Sequence, residues 1–169
     1  GNHPCVTFGG IAKCYLSPGL RVGWGIISGD SEHIEDYAEA VARLERVRLC
    51  SSYPAQAAVA AALDGPQDHI DTMRAQLVSR RDRLMDGISQ IDGIDCVPPR
   101  GAFYAFPNIT GTGIPARKLQ DKLLTEAGVA TVAGTSFGDF GEGYIRFSYA
   151  NSVENIEKAI DKIKNLLRV

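Results

Sequence analysis

Apolar residues at helical spacing mark the end of the chain. Ile156, Ile160, Ile163 and Leu167 make one stripe, predicting a helix over Val153–Leu167 that Asn151 or Ser152 caps. The start reads differently. CVTF (5–8) and VGWGIIS (22–28) are apolar, β-prone runs and predict two short strands. IEDYAEAVARLERVRL then carries Ile34, Ala38, Val41, Leu44 and Val47 at helical spacing after the turn residues Gly29, Asp30 and Ser31, so one helical face is expected to pack on a sheet. RLCSSYPAQ (48–56) breaks that helix, Pro54 opens a second, small-residue-rich one, and the Gly65-Pro66 pair stops it. A long helix is expected over 67–91, with Ile70, Met73, Leu77, Leu84, Ile88 and Ile91 as its apolar positions.

Beyond Gly93 the pattern changes. GAFYAF (101–106) alternates as a strand flanked by prolines; a helix over Ala116–Ala127 ends at Gly128; VATV (129–132) and YIRFSYA (144–150) read as strands around the loop AGTSFGDFGEG. This order predicts an α/β segment followed by a compact α+β unit, divided into 1–75 and 76–169 with the 67–91 helix bridging them.

Composition narrows the function. At 169 residues, 44% hydrophobic and 22% charged, the chain can build a proper core. A net charge of −2 without a basic run gives no electrostatic footprint for nucleic acid, and no apolar run reaches membrane-span length. Cys5, Cys14, Cys50 and Cys96 lie apart from one another and from histidine at metal-ligand spacing, so neither zinc nor a disulfide framework is indicated. That fits a reducing cytoplasm. Cys14 reads as a buried inert thiol or, beside Lys13, as a redox-sensitive one. His3, His33 and His69 are isolated among polar neighbours. The abrupt start at Gly1 suggests a piece of a longer protein.

The chemistry concentrates in FGGIAKCYLSPGLRVGW (8–24). Lys13 and Arg21 stand among Gly9, Gly10, Gly19 and Gly23, whose freedom at positive φ would let both cations turn toward one anionic ligand. Lys13 falls just past a predicted strand end, where open α/β sheets place their ligands. In YIRFSYA, alternation puts Arg146 on one strand face with Tyr144 and Ser148, opposite Ile145 and Phe147.

GIAK, the spacing from Lys13 to Arg21, GLRVGW, PRGAFYAFPNI and VAGTSFGDFGEGYIRFSYA, in that order, resemble the landmarks of the class I and II aminotransferases, fold type I enzymes that use pyridoxal 5'-phosphate (PLP). Departures fall at Gly10, Ala12 and Ser17. The resemblance implies the C-terminal piece of the PLP-dependent transferase fold: the end of the large cofactor-binding domain, then the small domain. It implies that Lys13 forms the Schiff base with the cofactor, that Arg21 grips its phosphate, and that Arg146 binds the substrate α-carboxylate. Arg48, before the turn at Pro54, is either a dicarboxylate contact reaching a partner subunit or a solvated helix-end arginine. Gly101, Ala102 and Phe103 shape a pocket wall or an ordinary core strand.

The implied reaction exchanges an amino group between an amino acid and a 2-oxo acid, within a homodimer. RLCSSYPAQAAVAAALDG resembles the alanine (glutamate-pyruvate) aminotransferases. A C–S lyase, a decarboxylase or the aminotransferase-like sensor of a transcription regulator would keep the same cations. Residues that family enzymes place before this stretch are not in the chain, so alone it is expected to be inactive and to bind PLP weakly.

Overall fold

The computed structural model describes residues 3–30 and 32–168; Ser31, expected at a helix start, and the side chains of residues 32 and 33 lie outside the description. Two compact units emerge, Gly1–Asp71 and Thr72–Val169.

In the first unit, β1 (Cys5–Gly10) and β2 (Gly23–Ser28) form an antiparallel ribbon in register from Cys5–Ser28 to Gly10–Gly23. The last pair closes a hairpin loop over residues 11–22. α1 (Glu32–Arg48) packs against β2. Its apolar stripe is covered only in part. Ile34, Ala38 and Val41 are half-buried, whereas Leu44 and Val47 are 72% and 85% exposed. A two-stranded ribbon cannot cover a 17-residue helix of about 25 Å along its length. α2 (Tyr53–Asp64) begins with Pro54 in its first turn and ends at Gly65, as the sequence suggests.

α3 (Asp68–Ile88) crosses the division between the units. In the second unit, β3 (Tyr104–Ala105), β4 (Val132–Ala133) and β5 (Ile145–Ser148) form an antiparallel sheet in the order β3-β5-β4. α4 (Ala116–Ala127) packs on β4 and on α5 (Val153–Leu167). The core joins Leu84 and Ile88 of α3, Leu119 and Leu123 of α4, Ala105, Ala133, Ile145 and Phe147 of the sheet, and Ile156, Ile160 and Ile163 of α5. Leu167, the last residue of the expected stripe, is partly buried at its edge. Ser152, one of the two candidate caps, accepts a hydrogen bond from Asn155 N through its Oγ.

The strands are shorter than the apolar runs. GAFYAF contributes only Tyr104–Ala105 to the ladder, although Phe103 O accepts from Tyr149 N and Pro107 O from Ile145 N on either side of it. Of VATV only Val132 enters a strand, Val132–Ala133. The reason is local: Gly128, at φ 64°, closes α4, and Val129 N is spent on Leu123 O.

Candidate functional site

Lys13 lies in the turn that follows β1 and is exposed. Arg21 lies two residues before β2, also exposed, and its Nη1 donates to Pro18 O at 2.7 Å. Both therefore belong to one hairpin loop whose ends meet at the Gly10–Gly23 pair.

The glycines around them act differently from expectation. The loop's left-handed residues are Leu16 (φ 51°) and Arg21 (φ 52°), not Gly9, Gly10, Gly19 or Gly23. Gly9 instead makes room for the ring of Trp24, its partner in the ladder: an added β-carbon would lie 2.5 Å from that ring. Close approach, rather than backbone freedom, is what this position requires. Cys14 is exposed, which overturns its reading as a buried thiol.

Arg146 sits in the central strand of the second unit's sheet, where register decides its face. Tyr104 pairs with Ser148 and Val132 with Arg146, so Tyr104, Val132, Arg146 and Ser148 share the outer face, and Ala105, Ala133, Ile145 and Phe147 the core face. The Arg146 guanidinium carbon lies 4.5 Å from the centre of the Tyr104 ring and 4.8 Å from that of Phe137. Behind these rings, Phe106 meets Phe137 edge-on at 5.9 Å and stacks on Tyr144 at 5.3 Å. Half-buried, the guanidinium donates no hydrogen bond and makes no ion pair among the described residues. Its five N–H donors are thus available to a planar anion, which a guanidinium fork suits.

Alternation in the sequence put Arg146 on the face it occupies, but did not point to Phe137 beside its guanidinium. Nothing in AGTSFGDFGEG marks one aromatic residue as a partner for an arginine nine positions later. That loop folds into two short 3-10 turns, Gly134–Phe137 and Asp139–Gly141. Its acid Glu142 accepts from Ala116 N, at the start of α4, through Oε1 at 2.8 Å.

Of the remaining candidates, Arg48 is exposed in the last turn of α1 and is followed by left-handed Leu49, the break expected before Pro54. Phe103 is half-buried against the core, and Ala102 stands in a left-handed turn at φ 57°. His3 and His69 are exposed, and the ring of His69 meets Tyr15 at 5.6 Å; the side chain of His33 lies outside the described residues. No group of acids, cysteines and histidines among the described residues could hold a metal ion. No helix among them is long and apolar enough to cross a membrane.

The residues of the first unit fit PLP by their chemistry. An aldehyde needs a primary amine and a phosphate dianion needs N–H donors; an exposed lysine and an exposed arginine share the loop, and a side chain added at Gly19 would meet nothing within 4 Å.

The sequence matches the family described as Aminotransferase class I and II over residues 1–163. It is 34% identical over 168 residues to the glutamate-pyruvate aminotransferase AlaA of Escherichia coli K12, covering 96% of this chain and 41% of that protein. The alanine aminotransferase of Pyrococcus furiosus superposes with a TM-score of 0.95 at 32% identity, over 99% of this chain and 43% of that one. The aspartate aminotransferase of Rhizobium meliloti gives a TM-score of 0.83 at 31% identity, over 96% and 41%. The chain thus spans about two fifths of the length of these relatives. Aminotransferases of these classes are generally PLP-dependent and act on amino acids and 2-oxo acids. A match over nearly the whole chain, together with this fold, places the chain in the class I and II aminotransferase family.

Proposed function

We propose that this chain serves PLP-dependent transamination between an amino acid, alanine or glutamate, and a 2-oxo acid. Residues 1–75 would belong to the large cofactor-binding domain and 76–169 to the small domain, within a homodimer. The observation that carries the reading is the half-buried Arg146 guanidinium with its donors unspent among the described residues, in a chain that also presents Lys13 and Arg21 on one loop. The relatives' names favour transamination over the lyase, decarboxylase and regulator readings.

Lys13 would attach the cofactor and Arg21 would hold its phosphate through charge-assisted hydrogen bonds. When bound, PLP supplies a sink for the electrons left at the substrate α-carbon. Lys13 Nζ, released when the substrate's amino group takes its place, would take the α-proton and return it. Arg146 would hold the α-carboxylate and so fix which bond at the α-carbon is broken. Arg48 would meet a second carboxylate on substrates that have one.

Reductive trapping tests this. The chain is incubated with limiting PLP, reduced with borohydride, and the labelled lysine identified by mass spectrometry. Borohydride makes even weak, transient attachment irreversible, so label concentrated on Lys13 and diminished in Arg21→Gln is expected although the chain alone binds PLP weakly. Label spread over the surface lysines without preference for Lys13 would overturn the assignment.

A further inference from the structure

Two aromatic rings contact the Arg146 guanidinium, whose carbon lies over both of them. Tyr104 belongs to β3 and Phe137 to the turn that continues β4, and β5 runs between those strands. A guanidinium carbon over a ring face is held electrostatically, through a contact that spends none of its N–H donors. A bidentate acceptor in the guanidinium plane can therefore still pair with those donors.

We propose that Phe137 and Tyr104 are positioning residues for carboxylate recognition: they hold the Arg146 guanidinium in one plane so that its edge meets the planar carboxylate of the amino acid. This rests on the role given to Arg146 above. The rings supply what hydrogen bonds from a protein acceptor would otherwise supply, orientation without using a donor. An acid beside Arg146 would orient it too, but would compete with the substrate for the same N–H groups. Aromatic faces orient the cation and leave its donors available. Phe137 is itself braced, because Phe106 meets its ring edge-on and Phe106 stacks on Tyr144. Phe137 is 53% exposed, so its size is not explained by filling the core.

The test uses the whole chain labelled with nitrogen-15. The Arg146 Nε–H signal is assigned by its loss in Arg146→Lys, then followed during titration with acetate and, at matched ionic strength, with chloride. In the parent chain the signal is expected to carry a ring-current displacement and to respond to acetate more than to chloride. In Phe137→Leu and Tyr104→Leu the displacement shrinks, and the acetate dissociation constant rises roughly threefold to tenfold, the range a partly exposed cation–π contact commands. Phe137→Tyr, which restores a ring, is expected to stay within about twofold of the parent chain. A selective acetate response that survives both leucine variants unchanged would overturn the positioning role while leaving Arg146 as a carboxylate site. The absence of any acetate selectivity in the parent chain would overturn the role of Arg146 and, with it, that of the rings.

Discussion

Gly134 and Gly141 stand face to face at the neck of the loop that carries Phe137, so close that a β-carbon on either would overlap the other's carbonyl oxygen. Gly134 N also donates to Tyr144 O at 2.8 Å, which ties the neck to the lead-in of β5. The Phe137 ring therefore reaches Arg146 because two residues without side chains let the loop fold back. Gly134→Ala or Gly141→Ala should force the neck open, at a cost of about 1–3 kcal/mol for the overlap. Thermal unfolding should show the loss and the Arg146 Nε–H signal should lose its ring-current displacement. An alanine variant that keeps both the parent melting temperature and the displaced signal would contradict this account.

Glu142 takes up a donor that the local sequence leaves without a partner. Pro115 precedes α4 and has no side chain that can cap it, so Ala116 N is satisfied by Glu142 from 26 residues further along the chain. Glu142→Ala should cost about 1–2 kcal/mol, combining a lost cap with a lost anion at the positive end of the helix. Glu142→Gln, whose amide oxygen can still accept, should cost less than half as much. Urea unfolding midpoints in the order parent, glutamine, alanine would bear this out; a glutamine variant as weak as the alanine one would point to charge alone.

How far the sequence reveals this architecture depends on whether the deciding contact is local. α5 was legible from end to end, because a serine cap and isoleucines at helical spacing are written in adjacent residues. The face of Arg146 was legible too, since alternation needs only its own strand. The guanidinium's neighbours were not: Tyr104 lies 42 residues before Arg146, and Phe137 sits in a turn with no periodicity. The exposure of Leu44 and Val47 was hidden for the same reason, since a helical stripe says which face is apolar but not how much surface there is to cover it.

Arg21 combines a strained backbone with the side chain proposed above to hold the cofactor phosphate, and the two can be separated. Its φ of 52° and ψ of 44° are left-handed, a conformation that costs a side-chain-bearing residue about 1–2 kcal/mol. The hydrogen bond from its Nη1 to Pro18 O offsets part of that. Arg21→Gly should hold or slightly raise the melting temperature, whereas Arg21→Ala keeps the strain, loses the hydrogen bond and should lower it. Both should reduce PLP labelling of Lys13 to a similar degree. Glycine falling well below alanine in stability would show that the left-handed turn is not what the loop resists.

Tyr149 gives the fold a sensitivity to alkaline pH. Its side chain is 2% exposed and its hydroxyl donates to Ala102 O at 3.2 Å, holding the left-handed turn that leads into β3. Burial pushes the phenol above its ordinary value, with Arg81 opposing the shift. The native state therefore keeps this proton more tightly than the unfolded chain does. Its contribution to stability is complete below about pH 10, where an unfolded tyrosine begins to ionise, and is lost as pH rises further until the native phenol ionises in turn. The slope in that window is at most one proton, about 1.4 kcal/mol per pH unit. Tyr149→Phe should lower stability at neutral pH by about 1 kcal/mol, because the Ala102 carbonyl loses its donor, yet flatten the fall above about pH 10. Urea unfolding of both proteins at neutral pH and at about pH 11 decides it. Parallel losses in the two proteins would assign the alkaline sensitivity to other groups.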